Sequence, residues 1–91
     1  MDYELFPGGD LIRRGVEDLV AGIESPAAML VAIGKPRLTR LGVSIPRDSL
    51  SSPEIRLYQY FWRTDPDAAH AQYNALLRRL VSFERAVECA G

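Results

Sequence analysis

A chain of 91 residues with 47% apolar and 25% charged residues has the composition of one ordered domain rather than of a disordered segment. Its formal net charge of −1 gives it no global attraction to nucleic acid or anionic lipid. The apolar run Ala27–Ile33 is too short to span a bilayer, and the lone Cys89 cannot close an internal disulfide. With no recognisable secretory leader, the cytoplasm is the expected compartment.

Met1–Gly9 reads as an extended lead-in that ends in the turn Pro7-Gly8-Gly9. Asp10 is the expected cap of a first helix running to about Ile23. Leu11, Ile12, Val16, Leu19, Val20 and Ile23 fall on one half of its wheel, and Arg13, Arg14, Glu17, Asp18 and Glu24 on the other. Gly15 lies inside the apolar arc, where it permits close approach of another helix.

Three cap-proline pairs punctuate the rest of the chain: Ser25-Pro26, Ser52-Pro53 and Asp65-Pro66. A Ser or Asp side chain accepts a bond from an unpaired N–H of the first turn. Proline tolerates the first helical position because its absent N–H would be unpaired there anyway. A second helix is therefore predicted from Pro26 to Ile33, stopped by Gly34, and its nearly all-apolar surface makes it central. Pro36 starts a short helical turn that ends at Gly42, followed by extended Val43–Pro46. A strand is the competing reading, because Leu41, Val43 and Ile45 alternate with Gly42 and Ser44. Arg47–Ser51 reads as loop.

A third helix is predicted over Pro53–Arg63. Ile55, Leu57, Tyr58, Tyr60, Phe61 and Trp62 cover about 220° of its wheel at 100° per residue, wider than one core face needs. The fourth helix, Pro66–Cys89, carries Ala69, Tyr73, Leu76, Leu77, Leu80, Val81, Phe83 and Val87 on its apolar arc. The fold class is thus all-α: a small bundle of four helices plus one short helical turn.

Charge is segregated along the chain. Residues 1–34 carry six acids and two bases, residues 35–63 six bases and two acids. The basic middle is expected to meet acidic surface, of its own first helix or of another molecule. Lys35, Arg37 and Arg40 are the candidate nucleic-acid contacts, since Ser25–Val43 has the outline of a helix-turn-helix. Two details oppose that reading. The second helix would be only about six residues long, and Arg40 would stand where it should present an apolar residue to the first.

No catalytic, cofactor-binding or metal-ligating set is recognisable. His70 and Cys89 would lie about 28 Å apart on one helix at 1.5 Å per residue, and His70 lacks companions for a zinc site. Pro7-Gly8-Gly9-Asp10 is a poor phosphate cradle, because Asp10 would repel the anion. Glu84 sits in the apolar arc of the fourth helix. Either the helix leaves the core there, or the carboxylate is paired with a cation, in which case Arg56 and Arg63 of the third helix are the expected donors.

The functional expectation is a non-enzymatic interaction or assembly module that self-associates, as a dimer, through the third and fourth helices. Tyr58, Phe61, Trp62, Leu80, Phe83, Glu84 and Val87 are the expected interface. A helix of 24 residues is about 36 Å long, whereas a sphere of this mass is about 31 Å across, so Leu80, Phe83 and Val87 should overhang and seek a partner. The second reading is a small regulatory nucleic-acid-binding protein using the basic segment 35–63.

Overall fold

The computed structural model describes residues 2–46 and 51–90. The chain forms a 3₁₀ turn (Tyr3–Leu5) and then α1 (Gly9–Ala21), α2 (Pro26–Ile33), α3 (Lys35–Arg40), α4 (Pro53–Thr64) and α5 (Ala69–Ala90). The all-α class is as expected, and no strand occurs among the described residues. The loop expected over Arg47–Ser51 lies, but for Ser51, outside the described residues.

α2 is the hub, packed against α1, α3, α4 and α5. Every residue from Ala27 to Ala32 is buried, as its apolar circumference requires. Its start follows the predicted chemistry. The Ser25 hydroxyl accepts from the Ala28 N–H at 3.1 Å and donates to the Asp18 carboxylate at 2.5 Å, tying the cap of α2 to the last turns of α1. α1 crosses α2 at Gly15, where a Cβ would stand 2.3 Å from the Ala27 carbonyl oxygen. Only glycine fits there.

The other two cap-proline pairs act differently. Helix α4 does start at Pro53, but Ser52 has a left-handed backbone, φ 48°, and its side chain caps nothing. At Asp65-Pro66 the chain forms a turn, with the Ala68 N–H donating to the Asp65 carbonyl at 3.2 Å. α5 therefore begins at Ala69, three residues later than predicted. Asp65 instead ends α4, its N–H donating to the Phe61 carbonyl at 2.8 Å. The turn joins α4 and α5 as an antiparallel pair.

The N-terminal segment departs most from expectation. It is a 3₁₀ turn in place of an extended lead-in, capped by the Asp2 carboxylate, which accepts from the Glu4 N–H at 3.2 Å. Gly8, not Asp10, caps α1. The segment folds back over α5, with the Tyr3 and Phe6 rings 6.2 and 5.9 Å from the ring of Phe83.

That contact removes the overhang. The molecule measures 38 × 25 × 19 Å, so it is elongated, and 22 residues of α5 at 1.5 Å each, about 33 Å, fit along it. Leu80, Phe83 and Val87, expected to be exposed in a single copy, are buried within the chain, Phe83 completely. They join Ile12, Leu30, Val31, Leu38 and Leu57 in one core. The spherical estimate failed because the bundle is longer than it is wide.

Candidate protein-binding surface

Helix α4 is the least buried long helix of the bundle; Leu57 is its one fully enclosed residue. Leu57 and Phe61 turn inward, Phe61 to a depression shared with Pro26, Gln72 and Leu76. Ile55, Tyr58 and Trp62 recur at three- and four-residue spacing, so they form one stripe along the outer side. Ile55 is 59% and Trp62 55% exposed, while Tyr58 is half-buried. Ile55 and Trp62, two turns apart with an aromatic ring between them, do not join the core formed by the described residues.

The stripe continues onto α5. Tyr58 meets Tyr73 edge to face at 5.5 Å and His70 at 6.5 Å. Glu54, Ile55, Tyr58, Gln59 and Tyr73 line a shallow, open depression there. Burial pushes the Tyr73 phenol above its ordinary value, and the Glu54 carboxylate pushes it further the same way. The Tyr73 hydroxyl can both donate and accept a hydrogen bond.

On the opposite side of α4, Arg56 is paired with Glu24, and Thr64 donates to the Tyr60 carbonyl at 2.5 Å. Tyr60 is 40% exposed and packs edge-on against Phe61 at 5.6 Å. Arg63 is exposed.

Of the seven residues expected at an interface, the structure brings only Tyr58 and Trp62, with the inner Phe61, to the α4 surface. Leu80, Phe83, Val87 and Glu84 lie inside. Ile55 and Tyr73 were missed as surface residues, although Ile55 stands three residues before Tyr58 and seven before Trp62. That spacing was the available signal.

The basic residues are placed otherwise. Helices α2 and α3 abut at Gly34, with no turn of the length a helix-turn-helix uses, and α3 has six residues. Arg37 is directed at α5, where its guanidinium donates to Glu88 at 2.8 Å and lies 3.8 Å from Glu84. Lys35 is half-buried and engaged, while Arg40 is exposed. The basic middle therefore meets acids on both sides, Glu24 through Arg56 and the end of α5 through Arg37.

Glu84 is the one buried charged residue among those described, 4% exposed. Its cation is Arg37, a correction to the expected Arg56 or Arg63. Arg56 lies in the half of α4 that faces Glu24, so the polar stripe of α4 turns away from Glu84. Burial raises the Glu84 carboxyl, Arg37 pulls it back down, and Glu88 adds to the rise.

His70 contacts Asn74 at 3.1 Å, one turn along an exposed side of α5, and Cys89 is an exposed thiol near the far end. No group of three or more His, Cys, Asp or Glu side chains placed to hold a metal ion occurs among the described residues. No helix there is long and apolar enough to cross a membrane. Comparison with protein-family models, with curated proteins and with solved structures returns no match to this chain.

Proposed function

We propose that this protein is a non-enzymatic self-association module that forms a homodimer through the outer face of α4. The observation that carries the reading is the exposure of Ile55 and Trp62, two turns apart on one helix face with Tyr58 between them. A contiguous apolar patch on a small domain marks an interaction surface, and Trp and Tyr are favoured where a surface is covered by a partner.

A second copy is the occupant this stripe suits. Read in either direction, the spacing Ile55–Tyr58–Gln59–Trp62 is the same: three, one, three. Antiparallel pairing about a two-fold axis lays Ile55 against Trp62 of the partner subunit twice, with Tyr58 and Gln59 at the axis. It opposes the two helix dipoles and sets the Glu54 end of one α4 beside the Arg63 end of the other. In the cytoplasm, the compartment this reading assigns, Cys89 stays a thiol.

Sedimentation equilibrium of the full chain tests the proposal. The wild type should be dimeric at micromolar concentration, and Trp62→Glu and Ile55→Glu should each return it to monomer without loss of helical circular dichroism. A wild type that stays monomeric, or variants that remain dimeric, would refute it. The association should also survive added salt, which would steeply weaken a contact made through phosphates.

A further inference from the structure

The contact between α3 and α5 joins one guanidinium to two carboxylates. Arg37 of α3 faces two carboxylates one turn apart on α5: Glu88, half-exposed at 2.8 Å, and Glu84, buried at 3.8 Å. The longer distance is beyond a hydrogen bond, so the guanidinium is committed to Glu88 and only adjoins Glu84. α3 also covers apolar surface. Leu38 is fully buried, and the Leu80 side chain packs against Gly34 at the start of α3. The strap is short, a turn and a half of helix, and it lies over the part of α5 where its apolar arc carries a charge.

We propose that α3 is a pH-sensitive clasp on the C-terminal half of α5, loosest when the buried Glu84 is ionised and tightened when Glu84 takes up a proton. One guanidinium, itself 39% exposed and therefore screened, does not offset the removal of a carboxylate from water while it also serves a second carboxylate. Among the described residues, the charged groups placed against Glu84 are Arg37 on α3 and Glu88 on α5; on α4, which also packs on α5, Arg56 is turned to Glu24. Arg40 borders the surface depression that Arg37, Leu41 and Glu88 line. α2, which also packs on α5, carries no charged residue. Loss of the Glu84 proton leaves an ionised carboxylate against Leu80 and Val87, and the local opening that rehydrates it is the lifting of α3.

The sign follows from linkage. The Glu84 carboxyl lies higher in the folded chain than in the unfolded one. Its stabilising contribution is complete below the unfolded value and disappears as pH rises through the folded value.

Amide hydrogen exchange of the full-length protein across the acid-to-neutral range, corrected for intrinsic rates, reads the clasp directly. Protection of Leu38–Leu41 relative to Leu30–Ile33 should fall several-fold as pH rises. Glu84→Gln should hold it constant at its acid level, while Glu88→Gln should keep the wild-type direction. The idea is overturned if Glu84→Gln follows the wild-type profile, or if it loosens α3 at neutral pH as deletion of a net stabilising ion pair would. A direct nuclear magnetic resonance titration of the wild-type Glu84 carboxyl decides independently of whether that variant folds: a midpoint at or below the ordinary glutamate value also overturns it.

Discussion

A methyl group on Gly15 would stand 2.3 Å from the carbonyl oxygen of Ala27 and 2.4 Å from a methyl of Val31, so α1 and α2 pack backbone against backbone at that point. The obstacle is partly main chain, which a rotamer change cannot move. Gly15→Ala should gain about 1 kcal/mol of helix propensity and lose more than that to the clash, for a net loss of about 1–3 kcal/mol. Urea unfolding measures it. A stabilised variant would mean that the two helices separate freely.

Ser25 and Ser52 precede proline in the same way and should answer differently to alanine. Ser25→Ala removes the acceptor of the Ala28 N–H and the donor to Asp18, and should cost about 0.5–2 kcal/mol. Ser52 has no side-chain cap bond to lose, so Ser52→Ala should change stability by less than about 0.5 kcal/mol. Equal losses in thermal unfolding would contradict the difference in cap geometry.

This pair also marks how far the sequence carries the fold. Proline after a cap residue locates a helix start because it restricts backbone torsion locally, and Pro26 and Pro53 do so to the residue. Asp65-Pro66 fails because the same two residues also make a good turn, and closing α4 onto α5 decides between them. The apolar wheel of α2 gave its central place, since a helix apolar all round has no solvent face. The reverse inference, that apolar residues of α5 lacked cover, failed on contacts of long sequence separation. Tyr3 and Phe6 reach Phe83 across about eighty residues, and no local pattern announces that. Glu84 was legible as a charge needing a cation, but its donor depended on which way α3 and α4 turn.

Phe83 and Trp62, both expected at an interface, differ in the structure: one is enclosed and the other exposed. Phe83 is completely enclosed beneath the N-terminal turn, so Phe83→Ala should cost about 3–5 kcal/mol. Trp62, more than half exposed in a single copy, should tolerate alanine within about 0.5 kcal/mol in a dilute sample. As the only tryptophan, it also reports association. Its emission should resemble exposed indole when dilute and shift to the blue as concentration rises. A blue-shifted spectrum at all dilutions, with a severe Trp62→Ala loss, would place it in the core.

Arg37 and Glu84 should be energetically coupled, and the coupling should depend on pH. Arg37→Met alone leaves a buried carboxylate without its cation, a desolvation penalty of about 1–3 kcal/mol at neutral pH. With Glu84→Gln already in place, the same change removes only the partly exposed pair with Glu88 and should cost well under that. The difference between the two costs, read from a double-mutant cycle by urea unfolding, should exceed about 0.5 kcal/mol at neutral pH. At acid pH Glu84 is protonated in both folded and unfolded chains, so there is no charge for Arg37 to offset and the coupling should vanish. The parallel cycle with Arg56→Met should give none at either pH, because Arg56 is paired with Glu24 on the far side of α4. Coupling to Arg56 in place of Arg37 would reassign the partner of the buried carboxylate, and with it the contact that fastens α3.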